Sequence, residues 1–289
     1  MRVPSPHPAA RVPSRALATA GGVIRVVILA ALAAAIVVPL YWALVSSFMT
    51  KPEFVSVPTH WWPQKVDTSW YQRLFTEQHF PRYYLNSIIV SVVVALSVVF
   101  FSTLTGFAVS NKYSFAGKSA FFGFILATML LPFELIMIPL YIMMRTFGLL
   151  NTYAAIIIPG LLNAFGVFLL RQAINEIPGD FLDAGRIDGA HEITLFRRIV
   201  IPMAMPVMAA LLIFTFVGMW NSYYWPLVVI NSEPKRTLTL AVVFMQGFFA
   251  VDYPIILGSA VLGSVPIMLV FAFSQRFFIR SMTLSGLKG

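Results

Sequence analysis

Six long apolar runs constrain this chain more than any other feature. A membrane-spanning helix needs about twenty apolar residues. Six stretches reach or approach that length: Val26–Phe48, Ser87–Ser110, Ala120–Met143, Tyr153–Leu170, Val207–Val228 and Ile255–Phe273. Only helices and closed barrels satisfy their backbone hydrogen bonds within lipid, and these runs lack the alternation of barrel strands. The sequence therefore predicts an all-α, polytopic membrane bundle of six transmembrane helices.

Composition and charge argue against several other classes of protein. Of the 289 residues, 59% are hydrophobic and only 11% are charged, whereas a soluble domain carries about 25% charged residues. A net charge of +9 would suggest nucleic-acid binding in a soluble protein. Here the positive residues fall mainly on loops and tails, so we expect no nucleic-acid partner. Cysteine is absent and the four histidines are scattered, so no disulfide and no metal site are expected.

The distribution of lysine and arginine predicts the orientation of the bundle. With the N-terminus inside, 13 of the 20 basic residues fall on the cytoplasmic side, which favours an inner-membrane protein with both termini cytoplasmic. We predict tails at residues 1–25 and 281–289, with the six-helix domain at 26–280 between them. A cleaved signal peptide is the rival interpretation of the first run, but its apolar core would span only about 7–15 residues.

No motif predicts catalysis. The nearest approach to a phosphate-binding loop is Gly117-Lys118-Ser119, but that pattern needs a glycine at position 112, which is lysine. The spans carry no nucleophile–base pair, paired carboxylates or metal cluster. We therefore expect a chain that is not an enzyme and has no cofactor of its own. A membrane-embedded enzyme and a passive channel or scaffold are the alternatives from other classes.

The segment Asp183–Pro206 differs from the other loops. It reads DAGRIDGAHEITLFRRIVIPMAMP and is much longer than the few residues that join neighbouring helices. Asp180 is a candidate N-cap for a short helix, which would carry Phe181, Ala184 and Ile187 on one face.

Gly189 then supplies a tight turn, and helical spacing predicts a second helix at Ala190–Ile201. We expect Pro202 and Pro206 to end that helix and to tilt the entry to the fifth span. The result is a helix–turn–helix across the inner mouth of the bundle, within a loop at residues 174–206.

This segment resembles the EAA loop of ABC-importer permeases, in which E-A-A-x-x-D-G-A precedes F, I, P and a second P. The matching residues are Ala184, Asp188, Gly189, Ala190, Phe196, Ile199, Pro202 and Pro206. Two positions depart from the pattern, because the leading Glu is Asp183 and the second Ala is Gly185. Glycine lowers helix propensity by about 1 kcal/mol relative to alanine, so we expect the docking geometry to differ there.

The resemblance extends over about residues 26–289 and is similar to the carbohydrate-importer branch, with its maltose-type and glycerol-3-phosphate-type six-span subunits. Supporting pieces are Asn86-Ser87, Leu131-Pro132, Ile138-Pro139-Leu140, Trp220-Asn221, Trp225-Pro226-Leu227 and the C-terminal residues 275–289. It implies a type I ABC-importer permease fold in a bacterial inner membrane. The implied partners are a second homologous permease, two cytoplasmic ATPase subunits that bind ATP and Mg, a solute-binding protein and membrane lipid.

In that family the loop docks onto the ATPase subunits and transmits their closure to the spans. The resemblance therefore assigns ATPase coupling to Asp183, Ala184, Asp188, Gly189, Ala190, Glu192 and Phe196. The alternative is that Asp188 and Gly189 merely form a capped turn, and both roles are compatible.

Candidates for the substrate path come from the spans. Glu134 is an acid within an apolar run, which marks a functional candidate by default, although freed backbone amides near a helix break are an alternative partner. Trp220, Asn221 and Tyr224 lie near one helical face by spacing, and an interfacial aromatic belt is the rival reading. A neutral oligosaccharide is the expected substrate. Glycerol-3-phosphate is the alternative, but a phosphate calls for Arg or Lys in the path.

Overall fold

The computed structural model describes residues 15–245 and 253–285, and the side-chain surroundings of 22–245 and 253–275. Every regular element in the described residues is helical. In chain order they are α1 Arg15–Ser46, α2 Lys51–Phe54, α3 Ser69–Thr76, α4 Phe80–Ala108, α5 Lys118–Thr128, α6 Phe133–Thr146, α7 Tyr153–Gly160, α8 Ala164–Asn175, α9 Gly179–Ile187, α10 Glu192–Leu195, a π turn Phe196–Val200, α11 Ile201–Trp220, α12 Tyr224–Val229, a 3-10 turn Glu233–Lys235, α13 Leu238–Met245 and α14 Tyr253–Ser285.

Five segments in this part of the chain are long and apolar enough to cross a membrane: Gly22–Ser46, Phe80–Ala108, Tyr153–Asn175, Glu192–Trp220 and Tyr253–Gln275. A sixth crossing is available if α5 and α6, which meet at an angle of 97°, form one broken span. The all-α membrane bundle is thus confirmed. The predicted tail at 1–25 overlaps α1 from Arg15 onward, and the predicted tail at 281–289 overlaps the end of α14.

The third apolar run is broken rather than simply kinked. Between α5 and α6, Pro132 takes an extended backbone with φ −57° and ψ 139°, and proline also disfavours helical geometry in the residue before it. Pro139, by contrast, lies inside α6 without ending it. The bend therefore falls at the first of the two prolines.

The core of the bundle is built around α4. Val90, Val94 and Val98 recur every four residues along one face of this helix and are buried, where α4 packs against α8 and α11. The first helix is different, because residues 22–40 of α1 are exposed along their whole length.

The fifth span begins earlier than the sequence predicts. Pro202 and Pro206 do not end the preceding helix, because α10, the π turn and α11 run on as one segment from Glu192 to Trp220. In the π turn, the amide of Ile201 donates to the carbonyl of Phe196, five residues earlier. This wider spacing lets the chain enter Pro202 at the first turn of α11, where a missing N–H is tolerated.

Candidate functional sites

The charged segment forms two short helices joined by a tight turn. The prediction that Asp180 is the N-cap of α9 is wrong. Pro178 holds that position and Asp180 lies in the first turn, where its negative charge still favours the helix N-terminus. We call α9, the turn and α10 the motif segment (residues 179–195), and the bundle end that carries it the motif end.

Gly189 closes the turn in the left-handed region, with φ +78°. The amide of Ala190 donates to the carbonyl of Gly185 at 2.9 Å, and the Gly189 amide to that of Arg186 at 3.0 Å. These two bonds form a Schellman motif, in which a glycine at this position satisfies the last carbonyls of the helix. The structure thus has the tight glycine turn that the sequence predicts.

The two faces of α9 have opposite surroundings. Leu182 is buried and belongs to the same apolar cluster as Leu195. The residues predicted to share an apolar face, Phe181, Ala184 and Ile187, are all exposed, and Ile187 is 87% exposed. On α10, Ile193 is 73% exposed. The motif segment therefore keeps one apolar face for the bundle and leaves another open.

Gly185 lies on the inward face of α9, which changes the meaning of its departure from the family pattern. A Cβ atom at this position would lie 2.5 Å from Leu195 Cδ2 and 3.5 Å from Ile199 Cδ1. A side chain here would make Leu195 move, so glycine allows the close contact between Gly185 and Leu195. The departure concerns packing inside the motif segment rather than the surface that a partner would meet.

Arg186 is held between two carboxylates. Its Nη1 lies 2.9 Å from Asp183 Oδ1 and its Nε lies 3.0 Å from Glu192 Oε1. Hydrogen bonding to Glu192 is the main reason that the pKa of Arg186 is raised. Glu192 also accepts a hydrogen bond from the hydroxyl of Tyr113.

Tyr113 belongs to the loop between α4 and α5 and is not part of the family pattern. Burial, followed by the hydrogen bond to Glu192, raises the pKa of the Tyr113 phenol to about 12. Its ring packs edge-on against the ring of Phe107, with 4.9 Å between the ring centroids. The Phe107 ring in turn packs against that of Phe196, with 5.2 Å between the centroids. Sequence reasoning missed Tyr113 because only the folded chain brings it to Glu192, 79 residues away.

Further bonds tie the same loop to the helices that flank the motif segment. The amide of Asn111 donates to Asn175 Oδ1 at 2.7 Å, and the Lys112 ammonium donates to the carbonyl of Ile177. Arg171 Nε donates to the carbonyl of Val109 at 2.9 Å. The chain after α4 is thus connected to α8 and to the residues just before the motif segment at several points.

The predicted coupling residues fall into two groups. Exposed positions are held by Asp183, Ala184, Asp188, Gly189 and Glu192, although Asp183 and Glu192 bond within the chain. Ala190 and Phe196 are partly buried and pack against the core cluster around α4 and α8.

A cavity of about 440 Å³ lies among α4, α6, α7, α8, α11 and α12. It adjoins a break in the fourth span, where Asn163 caps α8 by accepting a bond from the Gly166 amide at 2.9 Å. Non-helical backbone at membrane depth is tolerated where it is buried in protein or lines a water-filled space. The aromatic and uncharged polar residues in the lining are Phe133, Asn163, Phe165, Phe214, Thr215, Ser222, Tyr224 and Trp225.

The predicted path residues are separated by the structure. Tyr224 lines this cavity, but Trp220 and Asn221 line a different one of about 330 Å³ beside α13 and α14. The expectation that they share a helical face is wrong, because α11 ends at Trp220 and the chain turns before α12. Trp220 is buried and donates its indole N–H to the carbonyl of Gly263 at 3.0 Å. Glu134 is exposed in the first turn of α6 and lines neither cavity.

Three polar residues of the cavity escaped sequence reasoning: Asn163, Thr215 and Ser222. Asn163 carried a readable signal, since it follows Pro159-Gly160 and asparagine is a preferred N-cap. No sequence pattern marked Thr215 or Ser222, because each is a single hydroxyl in or beside an apolar run.

At the opposite end of the bundle, Asn86 joins three elements. Its amide nitrogen donates to the carbonyls of Pro234 at 3.0 Å and Arg236 at 2.8 Å, and its oxygen accepts from the Tyr153 hydroxyl at 2.7 Å. Next to it, Ser87 Oγ accepts from the Leu238 amide at 2.7 Å. These bonds fix the chain between α12 and α13 onto α4.

A helical membrane bundle with a broken span, a partly open cavity and an ordered helix pair at one end is typical of a transport subunit. Residues 102–284 match the family described as binding-protein-dependent transport system inner membrane component. The chain belongs to this family. It is a multi-pass inner-membrane permease subunit of an ABC importer and not an enzyme, as the loop motif predicts.

Among its relatives, the arabinooligosaccharides transport system permease protein AraQ of Halalkalibacterium halodurans is 36% identical over 71% of this chain and 73% of its own length. The diacetylchitobiose uptake system permease protein NgcG of Streptomyces coelicolor is 30% identical over 83% of this chain and 80% of its own length. The sn-glycerol-3-phosphate transport system permease protein UgpE of Agrobacterium fabrum is 28% identical over 84% of this chain and 89% of its own length.

A solved structure supports the fold. The chain matches a bacterial ABC transporter involved in the import of the acidic polysaccharide alginate, with a TM-score of 0.81 and 24% identity over 93% of this chain and 100% of that one. The expected ABC-importer permease fold is thereby confirmed.

Proposed function

We propose that this chain forms one wall of the translocation path for a neutral oligosaccharide. The observation that carries this proposal is the lining of the cavity near α8 and α11. The described residues that line it include uncharged hydroxyls and an amide together with aromatic rings, and none of them is charged. Hydroxyls and amides hydrogen-bond sugar hydroxyl groups, and aromatic faces cover the apolar faces of sugar rings.

Glycerol-3-phosphate is the competing substrate, because a relative of similar coverage carries that name. A phosphate is best held by arginine or lysine, through charge-assisted hydrogen bonds. The described lining of the cavity includes neither. The relatives named for arabinooligosaccharides and diacetylchitobiose favour the sugar, and the second permease subunit would supply the remaining contacts.

Uptake assays with the assembled transporter test the substrate. Tyr224→Ala and Thr215→Val are expected to raise the KM for a neutral oligosaccharide while the amount of assembled complex stays unchanged. Asn221→Ala is the matched control, since Asn221 is exposed in the other cavity. Uptake of glycerol-3-phosphate in preference to every neutral sugar would overturn the assignment.

Coupling to ATP hydrolysis is proposed to run through the motif segment. One of two cytoplasmic ATPase subunits, which bind ATP and Mg, would dock on the exposed side of α9 and the turn. Supporting this, Ile187 exposes a large apolar side chain outside the candidate spans, and Ile193 exposes another at the start of the Glu192–Trp220 segment. Such exposed groups mark interaction sites when they cluster. A rigid helix pair also transmits a rigid-body motion better than a flexible loop.

The same proposal includes an orientation and further partners. The motif end would face the cytoplasm, with both termini on that side. A second homologous permease would complete the path, and an extracytoplasmic solute-binding protein would deliver substrate at the opposite end.

Replacing one exposed residue tests the docking surface. Ile187→Asp is expected to abolish ATP-driven uptake and co-purification of the ATPase subunits without unfolding the chain, because exposed substitutions usually change stability by less than about 0.5 kcal/mol. Phe115→Asp, exposed at the same end but outside the motif segment, should leave both unchanged. Retained uptake in Ile187→Asp would contradict the proposed surface.

A further inference from the structure

Hydrogen bonds between side chains order the loop between α2 and α3. The His60 ring bonds to Ser56 Oγ at 2.7 Å and to Gln64 Nε2 at 2.6 Å. The backbone amide of Gln64 donates to Glu53. These bonds hold the loop together, although Gln64 itself is exposed.

The apolar side chains of the same loop point outward. Val57 is 95% exposed, Trp62 is 70% exposed and Val66 is 63% exposed, and Trp61 lies beside them with more than half of its surface open. We call Val57, Trp61, Trp62 and Val66 the loop patch. An ordered loop that exposes two valines and two tryptophans together is suited to contact with an apolar phase or a partner.

Two contacts place the loop patch at a definite depth along α1. The Tyr41 hydroxyl donates to the carbonyl of Trp61 at 3.1 Å, and the rings of Tyr41 and Trp62 meet edge-on at 5.5 Å. Tyr41 lies five residues before the end of α1 at Ser46, which is about 7.5 Å along the helix axis.

That depth corresponds to the headgroup layer of a bilayer. The 25-residue span Gly22–Ser46 is about 37 Å long at 1.5 Å per residue, whereas the hydrocarbon core is about 30 Å thick. Its end therefore reaches into the interfacial layer, where tryptophan and tyrosine are enriched. The loop patch continues the exposed apolar surface of α1 at this level.

The charges around the patch are balanced. Lys51 and Lys65 are exposed near it, and Glu53 and Asp67 keep their negative charges, because each accepts a hydrogen bond from a neutral backbone amide. The depth of the patch, rather than the charge around it, therefore points to the headgroup layer.

We propose that residues 55–66 form an interfacial anchor, which inserts the loop patch into the lipid headgroup layer at the end opposite the motif segment. The anchor holds the end of α1 and the start of α3 at a set depth, since Trp70 Nε1 also donates to the Met49 carbonyl at 3.0 Å.

Spin labels measure this depth directly. The chain contains no cysteine, so Val57→Cys and Val66→Cys each give one nitroxide site in it. The full transporter is assembled with partner subunits whose cysteines have been replaced, and is reconstituted in phospholipid nanodiscs. Collisions with oxygen, which concentrates in lipid, are compared with collisions with a water-soluble nickel chelate. Gln72→Cys, exposed on α3, is the matched control outside the patch.

The anchor predicts high oxygen and low nickel accessibility at 57 and 66, and the reverse at 72, whether or not the solute-binding protein is present. Nickel accessibility at 57 and 66 equal to that at 72 would overturn it. Protection that develops only when the solute-binding protein is added would also overturn it, and would assign the patch to that protein instead.

Discussion

Gly185 and Leu195 meet where the two helices of the motif segment cross, and a Cβ atom at position 185 would lie 2.5 Å from Leu195 Cδ2. Leu195 is buried, so its side chain has little room to move away. The separation of α9 and α10 therefore depends on the absence of a side chain at one position.

Gly185→Val is expected to destabilise the chain by about 1–3 kcal/mol, because it overpacks this contact. It should also shift α9 and so lower uptake per ATP hydrolysed. Thermal unfolding of the purified complex and the ratio of uptake to ATP hydrolysis measure the two effects. Gly123→Val on α5, where a Cβ atom meets nothing within 4 Å, is the control. Equal effects at both positions would contradict the packing argument.

Gly189→Ala tests backbone conformation without a packing change. The site has φ +78° and open space around a Cβ atom, so the expected cost is the strain of the left-handed region, about 1–2 kcal/mol. Gly148→Ala has the same open space at φ +67° and should lose similar stability. Only Gly189→Ala is expected to lose uptake as well, measured with a transported sugar. Loss of uptake in both variants would mean that stability alone matters.

Tyr113→Phe removes the hydroxyl that bonds Glu192 and keeps the ring against Phe107. Hydrogen bonds to charged groups contribute about 1.5–3 kcal/mol, so the variant should be less stable and should couple ATP hydrolysis to uptake less tightly. Tyr141→Phe on α6, half-buried away from the motif segment, is the control. Unchanged coupling in Tyr113→Phe would show that this bond is dispensable.

The same variant makes a pH prediction. The pKa of Tyr113 is raised from 10.0 to about 12 in the folded chain, so folding favours the neutral phenol. Its contribution to the free energy of unfolding is complete below pH 10 and is lost between pH 10 and 12. The stability difference between wild type and Tyr113→Phe should be constant between neutral pH and pH 10 and should shrink above pH 10, measured by denaturant unfolding. A difference that grows with pH in that window would be inconsistent with a raised pKa.

Asn86→Ala should weaken the end of the bundle opposite the motif segment. It removes three hydrogen bonds and leaves the carbonyls of Pro234 and Arg236 without that donor, at an expected cost of about 2–3 kcal/mol. Hydrogen exchange should rise in residues 231–240, which these bonds hold against α4. Asn221→Ala, at an exposed position, is expected to change stability by less than about 0.5 kcal/mol. Unaltered exchange at 231–240 would show that other contacts hold the segment.

Sequence reasoning succeeded where the relevant physics is local. Hydropathy over a twenty-residue window depends only on the residues within it, so the spans were predictable. The glycine turn at 189 was also predictable, because a left-handed residue after a helix favours glycine wherever it occurs. The break of the third run was placed less accurately, since Pro132 and Pro139 look alike in sequence and only packing separates them.

By itself, the sequence determined that this chain is an all-α membrane permease with an ordered segment at Asp183–Pro206. Tertiary structure alone decided which side chains face one another. It joined Glu192 to Tyr113, turned Gly185 towards Leu195, and buried Trp220 while Thr215 and Tyr224 line the cavity. The physical reason is that the direction of a side chain depends on helix breaks and on neighbours distant in sequence. When a helix ends earlier than the sequence predicts, as α11 does at Trp220, the residues after that point face other directions than a continuous helix would give them.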